Sequence, residues 1–173
     1  QISDMSDTVL SLLEDRKAVS EATQETLDDL EERLGTARTA HTEATALPPL
    51  AKERPRKLGQ AYGQAATLVR EGQEAVASQA VALNERLEAD AETRERFPAP
   101  DPAVAERLDP AEVEHWDAAR EALDDELELR ERTAKAEVAS ALRLLDELRA
   151  ARRDMRPDAT TTELELDADA FFD

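Results

Sequence analysis

Apolar residues recur at intervals of three and four along most of this chain, the spacing of helices that bury one face. Over residues 6–46, Leu27, Leu30, Leu34 and Ala37 form such a stripe. It thins upstream to Leu12, Leu13, Val19 and Ala22, which makes that half the less stable. Pro48 and Pro49 end the segment, because the residue before a proline avoids the α region and proline has no N–H to donate. A second helix is predicted over 56–96, with the seam Leu58, Tyr62, Ala65, Val69, Gly72, Val76, Ala80, Leu83 and Leu87. The rhythm is nearly heptad with one additional four-step, a coiled-coil face with a local stutter. Asp101-Pro102 reads as the cap and first position of a short helix over 102–108. Asp109, Pro110 and Glu112 mark the start of a third long helix over 110–153. Its stripe is Val113, Trp116, Leu123, Leu127, Ala134, Val138, Leu142, Leu145 and Leu148.

Short connections make sequential helices antiparallel. The expected fold is all-α: an elongated antiparallel three-helix coiled-coil bundle over residues 1–156, with the short extra helix and an acidic tail over 157–173. Ala, Glu, Leu, Arg and Lys make up well over half of the 173 residues, the composition of long helices. Ile and Val together number nine, too few for a β-sheet core. Leu, Ile, Val and Phe are just under one-fifth of the chain, a level at which a highly charged sequence is suspected of disorder, so folding depends on concentrating them on seams. The Ala-rich seams bury little area each, which favours completion of the core by self-association or by a protein partner.

Charge then changes the picture. There are 41 acidic and 22 basic residues, net −19, with Arg far in excess of Lys. This balance resembles that of haloarchaeal cytoplasmic proteins, and the resemblance implies a cytoplasm of near-saturated salt. Molar salt shrinks the Debye length to about 3 Å and screens the self-repulsion of such a surface. No apolar run is long enough to span a membrane. Val9, Leu10, Leu12 and Leu13 are followed at once by charge, unlike a signal peptide. The opening on Gln1 fits a trimmed product or a native start at Met5.

Catalytic and metal motifs are weak, and the expectation is no enzyme, no cofactor, no metal and no small-molecule substrate. Cysteine is absent, which removes thiolate ligands and thiol nucleophiles. Glu112-Val-Glu-His115 has the Glu-x-x-His spacing of carboxylate-bridged metal bundles, but occurs once, and Glu112 is placed to cap its helix. Asp167, Asp169 and Asp173 lack the glycine and terminal glutamate of a calcium loop. Gly59 and Gly63 form a Gly-x-x-x-Gly pair that reads as a close approach of two helices.

Two features point outward. Lys52, Arg54, Arg56 and Lys57 follow the first long helix, and Arg149, Arg152, Arg153 and Arg156 end the third; an up-down-up arrangement brings both groups to one basic pole. Cations favour a helix C-terminus in any case. The pole also suits an acidic partner or the chain's own tail, whereas nucleic acid is disfavoured by the net charge and the lack of aromatics among the basic residues. In the tail, Leu164, Leu166, Phe171 and Phe172 are candidate partner-binding residues. The eight residues from Glu165 to Phe172 resemble the motif by which partners dock on replication sliding clamps, with Phe171-Phe172 as the aromatic pair, Glu165 in place of the glutamine and Ala168 in place of the larger aliphatic residue. The sequence thus supports a non-enzymatic scaffold or adaptor of a halophilic cytoplasm. The alternatives are a DNA replication or maintenance accessory factor and a structural component of a halophilic virus.

Overall fold

The computed structural model describes residues 2–157. Among them are four helices and no strand: α1 (Ile2–Thr45), α2 (Glu53–Arg96), α3 (Pro102–Ala105) and α4 (Pro110–Met155). The architecture is an all-α bundle whose long helices pack against one another. The starts follow the expected chemistry: Asp101 Oδ1 accepts from the Ala103 N–H at 3.0 Å, and Asp109 Oδ1 from the Ala111 N–H at 3.2 Å, each with proline next in line. Three boundaries differ from expectation. Helix α1 begins at Ile2 rather than residue 6, because Ile2 and the fully buried Met5 continue its seam. Helix α2 takes Pro55 into its first turn, where the missing N–H costs nothing. The short helix is a single turn ending at Ala105.

The chain divides into two compact units, Gln1–Thr23 with Gln79–Glu137, and Gln24–Ser78 with the chain from Val138 onward, so that each long helix contributes a segment to both.

In the first unit Arg16 meets Glu126 and Ser20 meets Glu137, so α1 and α4 run in the same direction. Thr23 pairs with Gln79 and Asp90 with Arg130, so α2 runs against them. Its apolar cluster is small: Met5, Phe97, Leu123 and Leu127, flanked by Ile2, Val9, Leu12, Trp116 and Ala119. The neighbouring seam positions are charged. Arg130 of α4 is 4% exposed, and its Nε donates to both carboxylate oxygens of Asp90 of α2, itself 2% exposed, at 3.2 and 3.3 Å. Its Nη1 donates to the Leu12 carbonyl oxygen at 2.9 Å and to Asp15 Oδ2 at 3.1 Å, both in α1. A second tie joins Arg16 Nε to Glu126 Oε1 at 2.8 Å, and buried Thr23 Oγ1 accepts from Gln79 Nε2. Charged side chains that are buried and paired in this way hold three helices to one register.

The second unit is apolar in the ordinary sense. Leu27, Leu30 and Leu34 of α1, Tyr62, Leu68 and Val69 of α2, and Leu144, Leu145 and Leu148 of α4 form one buried cluster. Helix α4 buries Leu123, Leu127, Ala134, Leu145 and Leu148 of its predicted stripe; one position departs, since Leu142 is 46% exposed and the neighbouring Ala141 and Leu144 are buried. In α2, Ala80 of the first unit is likewise exposed. The close approach of two helices lies at Gly72, where an added Cβ would stand 2.8 Å from Leu148 Cδ1 and 3.3 Å from Leu145 Cδ1. At Gly59 it would meet nothing within 4 Å, so Gly59 is not a point of close approach, whereas Gly63 is buried beside a groove between α1 and α2.

The glycines give a signed test. Gly35→Ala and Gly59→Ala, in open space inside helices, should each raise stability by about 0.5–1 kcal/mol. Gly72→Ala should lower it, because overpacking costs about 1–3 kcal/mol against a propensity gain of about 1. Urea midpoints check the signs, and stabilisation by all three would contradict the packing at Gly72.

Candidate functional site

A groove opens in the first unit where the chain leaves α2, makes the single turn of α3 and enters α4. Pro98 and Pro100 stop α2 and force an extended connection, and Asp101 then caps α3. The groove encloses about 450 Å³ between Phe97, Pro98, Pro100, Val104, Leu108 and Trp116, with Asp4 of α1 and Arg96 at its edge. Val104 and Leu108 are exposed on its wall, whereas Phe97 is buried among Met5, Leu123 and Leu127. The Phe97 carbonyl accepts from Arg120 Nη1, and the Arg96 guanidinium lies 5.0 Å from the Phe97 ring centroid, within cation–π range. Trp116 is half-buried, and its Nε1–H is shielded from solvent with no hydrogen-bond partner. An unsatisfied buried donor costs about 1–3 kcal/mol, which a bound carbonyl or carboxylate oxygen would recover. Aromatic and proline walls around a single oriented donor suit recognition of an extended peptide.

A larger, more polar groove of about 700 Å³ lies in the second unit, along Arg33 and Thr36 of α1 and Gln60, Gly63, Gln64 and Thr67 of α2. Arg33 is committed to Glu71 at 2.5 Å and to Asp29 at 3.4 Å; the hydrogen bond to Glu71 holds the Arg33 guanidinium proton still more firmly than usual. Elsewhere Lys135, 2.6 Å from Glu131, keeps that exposed carboxyl below its ordinary range. The Arg33–Glu71 pair joins α1 to α2, and the other two lie one turn apart on a single helix.

The basic residues expected at one pole all belong to the second unit. Lys52, Arg56, Arg153 and Arg156 are exposed, and Arg54, Lys57, Arg149 and Arg152 are half-buried. Gly72 faces Leu145 and Leu148, and α4 ends at Met155, so at about 1.5 Å per residue Arg153 lies roughly 15 Å short of Arg56 along the helix axes. On the same register Arg156 lies about 8 Å from Lys57 along the axis, so the two groups adjoin at their nearest members and are offset at the others. Lys57 pairs with Glu53 at 3.6 Å. Leu164, Leu166, Phe171 and Phe172 lie outside the described residues. No group of three or more potential metal-ligating side chains occurs among the described residues, Glu112 and His115 included.

The expected chemistry of the groove separates its exposed wall from its buried floor. Leu108→Ala should change stability by no more than about 0.5 kcal/mol. Phe97→Ala, which empties a buried site, should cost about 3–5 kcal/mol. Urea unfolding followed by circular dichroism checks both, and equal losses would mean that the wall is structural.

No helix among the described residues is long and apolar enough to cross a membrane. No family model matches this chain, and neither a characterised protein nor a solved structure matches it.

Proposed function

We propose that this protein is a non-enzymatic helical scaffold or adaptor that works in the concentrated salt of a halophilic cytoplasm. The observation that carries the reading is the groove around Trp116, where apolar and aromatic side chains surround an indole N–H that has no partner. The buried charges elsewhere are tied to one another across helices, which suits a rigid frame that presents docking surfaces. The acidic tail with Leu164, Leu166, Phe171 and Phe172 supplies a second element for partners. The net charge of −19 supports the salt-rich setting, since it is tolerable where screening is strong.

The test is a pull-down in molar KCl with the full chain, a chain lacking 160–173, and Leu108→Glu. The adaptor reading expects a partner held by the full chain and lost in at least one variant whose circular dichroism is unchanged. A partner held equally by all three, or no partner, would contradict it. Helicity itself should fall as KCl is lowered from molar to millimolar, and an unchanged spectrum would count against the salt-rich setting.

A further inference from the structure

We propose that the Trp116 groove receives the connection between α1 and α2 of a second copy of this chain, so that molecules associate head to tail. The proposal rests on the reading of the groove as a docking surface and names its occupant.

The connection is a preformed apolar knuckle. Leu50 is 97% exposed and stands beside the exposed Pro48 and Pro49. The Ala51 N–H donates to the Pro48 carbonyl at 3.0 Å and the Arg54 N–H to the Ala51 carbonyl at 3.2 Å, so the backbone is already turned. A rigid segment loses little conformational freedom on binding, and proline-containing segments are suited to aromatic-walled grooves for that reason. Leu50 would fill the apolar space between Leu108 and Trp116, and a backbone carbonyl of the knuckle would satisfy the Trp116 N–H.

Charge favours this occupant over the chain's own tail. Residues 52–57 carry Lys52, Arg54, Arg56 and Lys57 against Glu53 alone, a positive collar on a chain of net −19. Among the described residues the groove is lined by Asp4, Asp101 (which also caps α3) and one cation, Arg96, which lies over the Phe97 ring, and Asp4 and Asp7 line the depression beside it. An acidic lining therefore meets a basic collar, and the pairing acts at contact distance, inside the Debye length of about 3 Å that molar salt leaves. The segment 158–173 carries six acidic residues and no basic one, so the same lining repels it. Because knuckle and groove are different surfaces, the contact is heterologous and propagates into a ring or an open chain of copies.

Trp116 is the only tryptophan, so its fluorescence reports on the groove. Sedimentation velocity and Trp116 emission are followed across a concentration series of the full chain in molar KCl. The expected result is a mass rising above the monomer with a parallel emission shift, both lost in Leu50→Glu and both lost in Leu108→Glu. These substitutions lie at exposed positions, and circular dichroism verifies that the variants are folded. The diagnostic arm mixes the two variants: one keeps its groove and the other its knuckle, so the mixture should form heterodimers and stop there. Four results would overturn the proposal: a monomer at every concentration, association that survives Leu50→Glu, a mixture that stays monomeric, and association abolished by deleting 158–173. A monomeric full chain whose groove still captures another protein would overturn the pairing and leave the docking reading standing.

Discussion

The first unit depends on one guanidinium. Arg130 reaches from α4 to Asp90 of α2 and to Asp15 and the Leu12 carbonyl of α1, so the register of three helix segments is written in hydrogen bonds to a single buried cation. Taking such charges out of water costs several kcal/mol per ion, and close pairing with full hydrogen bonding offsets that cost only in the correct geometry. A shift of one helical turn would leave a buried charge unpaired, a penalty far larger than the gain from sliding alanine past alanine. Small, Ala-rich seams are permissive about register, and the buried ions remove that freedom.

The second unit reaches the same specificity through shape. Its Leu and Tyr side chains fill the core, and the missing side chain at Gly72 leaves the space that the ends of Leu145 and Leu148 occupy. The two devices respond differently to salt. Screening weakens repulsion between surface carboxylates but reaches buried pairs much less. In brine, Arg130 with Asp90 and Arg16 with Glu126 retain their attraction while the −19 surface is quietened.

Much of this architecture is legible in the sequence, because prolines and caps act locally. Pro48-Pro49, Asp101-Pro102 and Asp109-Pro110 set helix ends wherever the rest of the chain goes, and Leu27, Leu30 and Leu34 had one apolar edge to bury. Arg130 and Asp90 were also readable in principle: Arg130 sits three residues after Leu127 and four before Ala134, and Asp90 three after Leu87, so each occupies a seam position. A charge on a seam signals a buried pair, but its partner is chosen by the register of another helix. At Leu142 the stripe departs from the structure because Ala141 and Leu144 flank the same seam, and packing against α1 and α2 selects them while Leu145 and Leu148 stay buried. The candidate site was the least legible part. Phe97, Leu108 and Trp116 are close in sequence but follow no shared periodicity, and only the turn through α3 brings them to one groove.

The most direct measurement is a double-mutant cycle on Arg130 and Asp90, with Arg130→Met, Asp90→Leu and the double variant unfolded in urea at low and at molar KCl. Arg130→Met leaves Asp90 buried without a cation and is predicted to cost about 3–5 kcal/mol, and Asp90→Leu less, because Asp15 and the Leu12 carbonyl still hold the guanidinium. The double variant should lose far less than the sum, with a coupling that persists in molar KCl. Additive losses, or a coupling that vanishes in salt, would contradict the claim that a buried ion pair holds these helices in register.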